Sequence, residues 1–486
     1  MTQEFGISQY HDTTTLYQEL NHLITTPPRA LAPQALASYL SDYFKEKCPQ
    51  SKALAAEAAQ VIPGAVQHNQ AFNYPFPLAF SRAWDAHLED VDGNRYIDFL
   101  QAGGATLLGS NPKVVRDKVK ALLDHCGPST CLFHEYELKL ARFIVDRFPG
   151  IEMIRLLGSG TEADMGAIRL ARVCTGKKNI IKLGAGFHGW SDQLSYAQRV
   201  PGLGKMECHG IPGPLFRYIQ EAFPNDIRAM EKIFKRNRLR GGTAAVIMEP
   251  LGPESGTRPL DYDYPAQVRE LCDKYGALLI FDEVVTAFRL GMGGAQGYFN
   301  VAPDLTVFGK VIAGGYPSAG GLGGKKEYMQ YLAAGIQSGS KKALVGGTMA
   351  ANPLSSAAGY FTLCELEKTG APRKAGQAGD RLTRGLQKLI QKYKLPFVAF
   401  NQGSICHLET VGTMLFHVPW EKPWKIPGTI KEVHARKEVM EEMGAAYMAE
   451  GLVTLAGSRL YTSAADTDEI IDDALVRFER VFKNIG

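Results

Sequence analysis

The stretch Pro303–Gly315, PDLTVFGKVIAGG, carries one lysine, Lys310, between the apolar run Leu305–Phe308 and a pair of glycines. A buried ammonium is costly unless it is paired, neutralised or used covalently. The preceding strand-like run, ALLIFDEV, ends on Asp282-Glu283-Val284, 28 residues before Lys310. A carboxylate at the end of a buried strand needs a cation, and a structural salt bridge is its ordinary role. Two further runs end in residues with chemical reach. MIRLL (153–157) leads into Gly158-Ser159-Gly160-Thr161-Glu162-Ala163-Asp164 and a helical stretch, MGAIRLAR. Small residues at a helix start let backbone N–H groups reach an anion, with the helix dipole in support. The plainer alternative is an N-cap with acids in the first turn. NIIKL (179–183) leads into Gly184-Ala185-Gly186-Phe187-His188-Gly189.

That last loop is formally G-x-G-x-x-G, the dinucleotide fingerprint. The fingerprint must open a helix and be followed by a strand-end acid about 20 residues on. Here WSDQLSYAQRVPGLG follows, with a proline at 201. A nicotinamide dehydrogenase is therefore disfavoured. Phe187 reads instead as a flat ring on a loop at the same sheet edge, or as a core aromatic, and His188 as its neighbour or a structural histidine. One chemistry uses all these residues together. Pyridoxal phosphate needs an anion cradle, an aromatic against its ring, a carboxylate opposite its pyridine nitrogen and a lysine to hold it as a Schiff base. In that reading Lys310 is no stored cation but is consumed as an imine.

These residues must be held by strands that end at one edge. The strands MIRLL, NIIKL, AAVIME (244–249), ALLIFD (277–282) and LTVFG (305–309) alternate with helical stretches from about residue 113. Such alternation predicts a mostly parallel sheet with helices on both faces and ligands at the strand carboxyl ends. The stretch 83–100, AWDAHLEDVDGNRYIDFL, predicts a hairpin turning at Asp92-Gly93. Four segments are expected: a helical extension at 1–60, a segment at 61–112 that joins a small domain, a large domain at 113–366, and a small α+β domain at 367–486. The chain has 486 residues, enough for two or three packed units. With 45% hydrophobic and 21% charged residues it has an ordinary globular composition. A net charge of +4 without a basic run argues against nucleic acid. No apolar run reaches the roughly 18 residues that span a membrane, and the N-terminal residues lack a signal core. The eight cysteines show no metal spacing and no dense framework, which predicts reduced thiols and a cytoplasmic setting.

The segments LGSGTEAD…AIRLAR, FHGWSD, MEPLGPESG, LIFDEVVTAFR, PDLTVFGKVIAGG and GGTMAANPLSSAAG resemble the class III aminotransferases of pyridoxal-phosphate fold type I, nearest the glutamate-1-semialdehyde aminomutase branch. The resemblance covers roughly residues 60–480. It implies an α/β fold with a large cofactor domain and a smaller α+β domain built from the N- and C-terminal segments. It implies that Lys310 forms the internal aldimine and that Asp282 pairs with the ring nitrogen. Val284 and Phe187 would flank the ring, with His188 beside it. Ser159, Gly160 and Thr161 would hold the phosphate. Gly347 and Thr348 would complete the phosphate cup of the neighbouring subunit, so a homodimer with shared sites is implied. Glu249 belongs to a buried Glu-Pro motif with a structural or supporting role.

The substrate side departs from the aminomutase branch. Where that branch carries a carboxylate-gripping arginine, this chain has PGAVQHNQAF (63–72), with His68, Asn69 and Gln70. A family tryptophan is matched by Gly103, and a family Ala-His-Thr by Ala465-Asp466-Thr467. The substrate-side candidates are His68, Asn69, Trp190, Arg289 and Arg459. Each arginine suits a carboxylate through its guanidinium fork; a surface or interdomain salt bridge is the alternative. The reading is an aminotransferase that moves an amino group from an amino acid or amine to a keto or aldehyde acceptor through pyridoxamine phosphate. The alternative is an isomerase on the same cofactor, an aminomutase or a racemase/epimerase. A non-catalytic binder would predict a damaged cofactor site, whereas Lys310, Asp282 and the Gly-Ser-Gly-Thr loop are all present.

Overall fold

The computed structural model describes residues 5–206, 208–335, 339, 341–455 and 458–486. The side chain of Asn69, a substrate-side candidate, lies outside the described residues. The chain divides into two units. One comprises Phe5, Lys113–Arg373 and Phe416–Pro423; the other comprises Gly6–Pro112, Lys374–Leu415 and Trp424–Gly486.

The first unit is built on a seven-stranded sheet: β1 (Met153–Leu157), β2 (Asn179–Leu183), β3 (Ile219–Ala222), β4 (Thr243–Met248), β5 (Leu278–Asp282), β6 (Leu305–Gly309) and β7 (Gly320–Gly324). Their order across the sheet is β1-β7-β6-β5-β4-β2-β3. Only β7 runs against the others, pairing antiparallel with both β1 and β6. The mostly parallel sheet expected from the strand–helix alternation is therefore present. Every residue of β2, β4, β5 and β6 is buried. Strands covered on both faces read as continuous apolar runs, which is why the sequence exposes them so clearly.

The sequence reading missed β7. Its sequence is GGLGG, and glycine is depleted in strands. Close approach explains the composition. A Cβ on Gly320 would run into the backbone of Ser159. The glycines let β7 press the start of the helix Gly160–Thr175, α1, onto the sheet. Helix α1 buries Ala163, Ala167, Leu170 and Ala171 in the same core as Leu157, Ile180, Ile247, Ile280, Val307 and Leu322. Its small side chains let the helix axis lie near the strands. Gly176, at φ 67°, closes its C-terminus.

The second unit combines both ends of the chain. Arg95–Asp98 pairs in parallel with Leu452–Val453, and antiparallel with His87–Asp90, which in turn pairs with Phe80–Trp84. The hairpin turn falls at Asp92-Gly93 as expected, with Gly93 at φ 88°. A three-stranded sheet places Ile405–Glu409 between Val398–Gln402 and Arg459–Tyr461. The N-terminal helix Thr13–Thr25 inserts Leu16, Leu20 and Leu23 against Val398, Phe400 and Leu415. Residues 13–25 thus form part of this unit's core.

Candidate active site

The parallel strands deliver their carboxyl ends to one edge of the sheet. Ser159 follows β1, the loop Gly184–Gly189 follows β2, Glu249 follows β4, Asp282 ends β5 and Lys310 follows β6. Asp282 lies opposite Val307 in the β5–β6 register, so Lys310 stands three residues beyond its partner position. Lys310 is half-buried and has a left-handed backbone, φ 47°. For a residue with a Cβ that conformation costs about 1–2 kcal/mol, and such strain concentrates at functional sites.

Val284 ties three of these elements together. A Cβ on Gly160 would meet its Cγ2 at 2.7 Å, and a Cβ on Gly309 would meet its Cγ1 at 2.8 Å. The start of α1 and the residue before Lys310 therefore close around the valine two residues past Asp282. Ser159 caps α1, its hydroxyl accepting from the Glu162 N–H at 3.2 Å. Gly189 packs directly on Thr161, joining the loop after β2 to the helix start.

Behind this edge lies a buried polar cluster. His188 Nδ1 is 2.7 Å from Asp282 Oδ2, and Asp282 Oδ1 accepts from the Val284 N–H at 3.0 Å. Burial pulls His188 below its ordinary value, against the pull of Asp282. Asp164, on the inner face of α1, is 1% exposed. Burial, then the neighbouring Asp282 and Glu249 carboxyls, push it well above the usual carboxylate range. Glu249 accepts from the backbone N–H groups of Phe187 (3.0 Å), Glu254 (2.7 Å) and Ser255, and from the Ser255 hydroxyl at 3.0 Å. Burial and Asp282 push Glu249 up to about 8. The Lys182 ammonium donates to the carbonyls of Gly186 (2.9 Å), Leu194 (3.1 Å) and Tyr196 (2.6 Å), and burial lowers it to about 8. Lys182 and Glu249 thus staple the Phe187–His188 loop from two sides.

The remaining candidates lie on several elements of the two units. Phe187 is half exposed and Trp190 is 80% exposed. Gly347 and Thr348 are exposed, and Gly347 lies beside the Glu162 carboxylate of its own chain. Arg289 is wholly buried in the first unit. His68 and Arg459 belong to the second unit. The His68 Nδ1 accepts from the Gln70 N–H at 3.1 Å and so caps a short turn. Arg459 is buried on a strand opposite His407. The Gly184–Gly189 loop passes into turns, with Ala185 left-handed at φ 70°, and no helix among the described residues begins there. The dinucleotide fingerprint therefore lacks its helix. Asp164 and Lys182 escaped the sequence reading. Asp164 does have a signal: it precedes Ala167 and Ala171 by three and seven residues, on the apolar face of its helix.

The family described as Aminotransferase class-III matches residues 68–455. That is most of the chain. The chain belongs to the class III aminotransferases. Among the relatives of this family, glutamate-1-semialdehyde 2,1-aminomutase 2 of Bacillus licheniformis is 35% identical over 446 residues, covering 90% of this chain and 98% of the relative. The ω-transaminase of Sphaerobacter thermophilus superposes with a TM-score of 0.80 at 25% identity, over 91% of this chain and 99% of that one. The β-phenylalanine aminotransferase of Variovorax paradoxus gives 0.77 at 26% identity, over 92% and 96%. As a class III aminotransferase the chain is a pyridoxal-phosphate enzyme with the fold type I architecture. No helix among the described residues is long and apolar enough to cross a membrane.

Proposed function

We propose that the chain transfers an amino group between a small amino acid or amine and a keto or aldehyde acceptor, with Lys310 and Asp282 as its catalytic residues. The observation that carries this is the closure of Gly160 and Gly309 around Val284, two residues past Asp282. It brings an anion-binding helix start, a carboxylate and a lysine to one strand edge. The residues fit the cofactor. The start of α1, Ser159 to Thr161, offers backbone N–H groups and a hydroxyl to a phosphate. Val284 and Phe187 offer apolar faces to a flat ring. When bound, pyridoxal phosphate supplies an electron sink for the carbanion left when the substrate loses a proton. The Asp282 carboxylate holds a proton on the ring nitrogen, and His188 and the Val284 N–H fix that carboxylate in place. Lys310 Nζ would hold the cofactor covalently and would move the proton at the substrate carbon.

We place the site in a homodimer, in which Gly347 and Thr348 face the neighbouring subunit's phosphate. Their exposure, with that of Leu344 and Met349, agrees with this. All eight cysteines are unpaired, which agrees with a reducing, cytoplasmic setting. His68, Asn69, Trp190, Arg289 and Arg459 remain the substrate-side assignments, with Arg289 reaching a substrate only through a rearrangement of its buried setting.

The length and level of identity to the aminomutases favour a second reading, an isomerase that returns the nitrogen to the same carbon skeleton. The absence of an arginine from His68-Asn69-Gln70 favours the transferase. A half-reaction separates the two. The loaded enzyme is given α-, β- and ω-amino acids, amines and amino aldehydes singly, without acceptor. One equivalent of released carbonyl compound supports transfer; an isomerised product with no released carbonyl supports the second reading.

A further inference from the structure

The buried cluster behind Asp282 contains two polar atoms that the chemistry above does not use. Asp164 Oδ1 and His188 Nε2 are both buried, and neither has a hydrogen-bond partner among the described residues. Donor or acceptor atoms of Asp164, His188 and Asp282 all lie within 4.8 Å of one another. An unsatisfied buried polar group costs about 1–3 kcal/mol, so two within one buried cluster call for an explanation.

The 2.7 Å contact restricts His188 to few forms. With the proton on Nε2, two acceptor lone pairs would face each other across that distance. With both nitrogens protonated, an imidazolium would sit in a site where burial opposes its charge. The neutral ring with Nδ1–H donating to Asp282 is the form that remains. It leaves Nε2 as a bare acceptor in need of a donor. Glu249 is not that donor, because both its oxygens face the Phe187, Glu254 and Ser255 groups and it stands outside the 4.8 Å group of Asp164, His188 and Asp282. Lys182 spends its donors on three carbonyls. Asp164 is the carboxyl that remains, and its surroundings, with Asp282 and Glu249 near, favour the neutral acid.

A metal ion is the competing use of two carboxylates and an imidazole. It would have to displace the proton shared by His188 and Asp282 and bring two charged carboxylates together in a dry interior.

We propose that Asp164 is a positioning residue: it carries a proton and donates it to His188 Nε2, directly or across one water, so that His188 keeps its Nδ1–H on Asp282 and Asp282 keeps its negative charge. The span of the cluster suits one bridging water or a small rotation of the Asp164 side chain. The consequence for catalysis rests on the assignment of Asp282 to the cofactor's ring nitrogen; the protonation pattern of His188 does not.

The test is therefore made first on the cofactor-free chain. Histidine is labelled with nitrogen-15, and a His188→Asn variant assigns the His188 ring signals. The wild type should show Nδ1 protonated and Nε2 bare near neutral pH. Asp164→Asn should keep that pattern, because its amide N–H can still donate to Nε2. Asp164→Val should keep Nδ1 protonated on Asp282 but strip Nε2 of its donor, moving the Nε2 resonance toward that of a nitrogen that accepts no hydrogen bond. In the loaded enzyme Asp164→Val should lower kcat about tenfold, at the low end for partners that orient a primary contact, and Asp164→Asn by less. A wild-type ring protonated on both nitrogens would overturn the proposal, and so would an unchanged Nε2 resonance in a folded Asp164→Val. If the valine variant does not fold, a changed ring pattern in Asp164→Asn overturns it as well. Failure of the wild type to take up pyridoxal phosphate sinks the cofactor assignment instead, and leaves the ring pattern to decide this one.

Discussion

His188 Nδ1 stands 2.7 Å from Asp282 Oδ2, with both side chains cut off from solvent. The pair fixes where the carboxylate points before any cofactor arrives. The second carboxylate oxygen is held by the Val284 N–H at 3.0 Å. Such preorganisation means that no reorientation is needed when charge develops across the site.

Replacing that carboxylate tests its role. Asp282→Asn keeps shape but cannot hold a proton on a ring nitrogen. The variant should fold and bind pyridoxal phosphate, and kcat should fall about 10²- to 10³-fold. Steady-state kinetics with one donor–acceptor pair decide it. A rate within a factor of about three of wild type would mean that another group faces the nitrogen.

The buried carboxyls predict a pH dependence of stability. Asp164 and Glu249 both lie above their ordinary values in the folded chain, Glu249 at about 8. Asp282 faces both, and Lys182 opposes the shift of Asp164. The folded state therefore binds more protons than the unfolded one between the ordinary carboxylate range and about 8. The contribution is full below that range and is lost as pH rises through the window. Urea midpoints should show Glu249→Gln losing less stability than wild type from about pH 5 to 8. Parallel curves would contradict this.

Arg436 gives the N-terminal residues a structural purpose. Its guanidinium, 1% exposed, donates to the carbonyls of Val411 (2.9 Å), Thr26 (2.7 Å) and Ile24 (3.2 Å), and to Glu432 at 2.7 Å. Arg436→Leu leaves those carbonyls without their donor and should cost about 3 kcal/mol of stability. Denaturant unfolding measures it, and a loss below about 0.5 kcal/mol would show that the carbonyls find other donors.

Much of the first unit was legible because its strands are apolar runs bounded by loops, and each ended in a residue with chemical character. The sheet edge at Asp282 and Lys310 could be read from that pattern alone. The glycine strand β7 could not, since its composition answers to the nearness of Ser159 rather than to strand preference. Residues 13–25 read as a polar helix, but the partners of Leu16, Leu20 and Leu23 come from residues nearly 400 positions later, which no local pattern shows. Asp164 looked like a first-turn acid because helix starts favour acids. Its inward direction follows only from the apolar period of the residues after it.

The central claim is that Lys310 is the residue that holds the cofactor. The direct measurement is reduction of the loaded enzyme with borohydride, followed by peptide mass mapping. The account predicts one pyridoxyl phosphate per chain, on the peptide containing Lys310, and none in Lys310→Ala, which should also lose turnover while still binding the cofactor through its phosphate. A stoichiometric adduct on another lysine, or full turnover without Lys310, would contradict it.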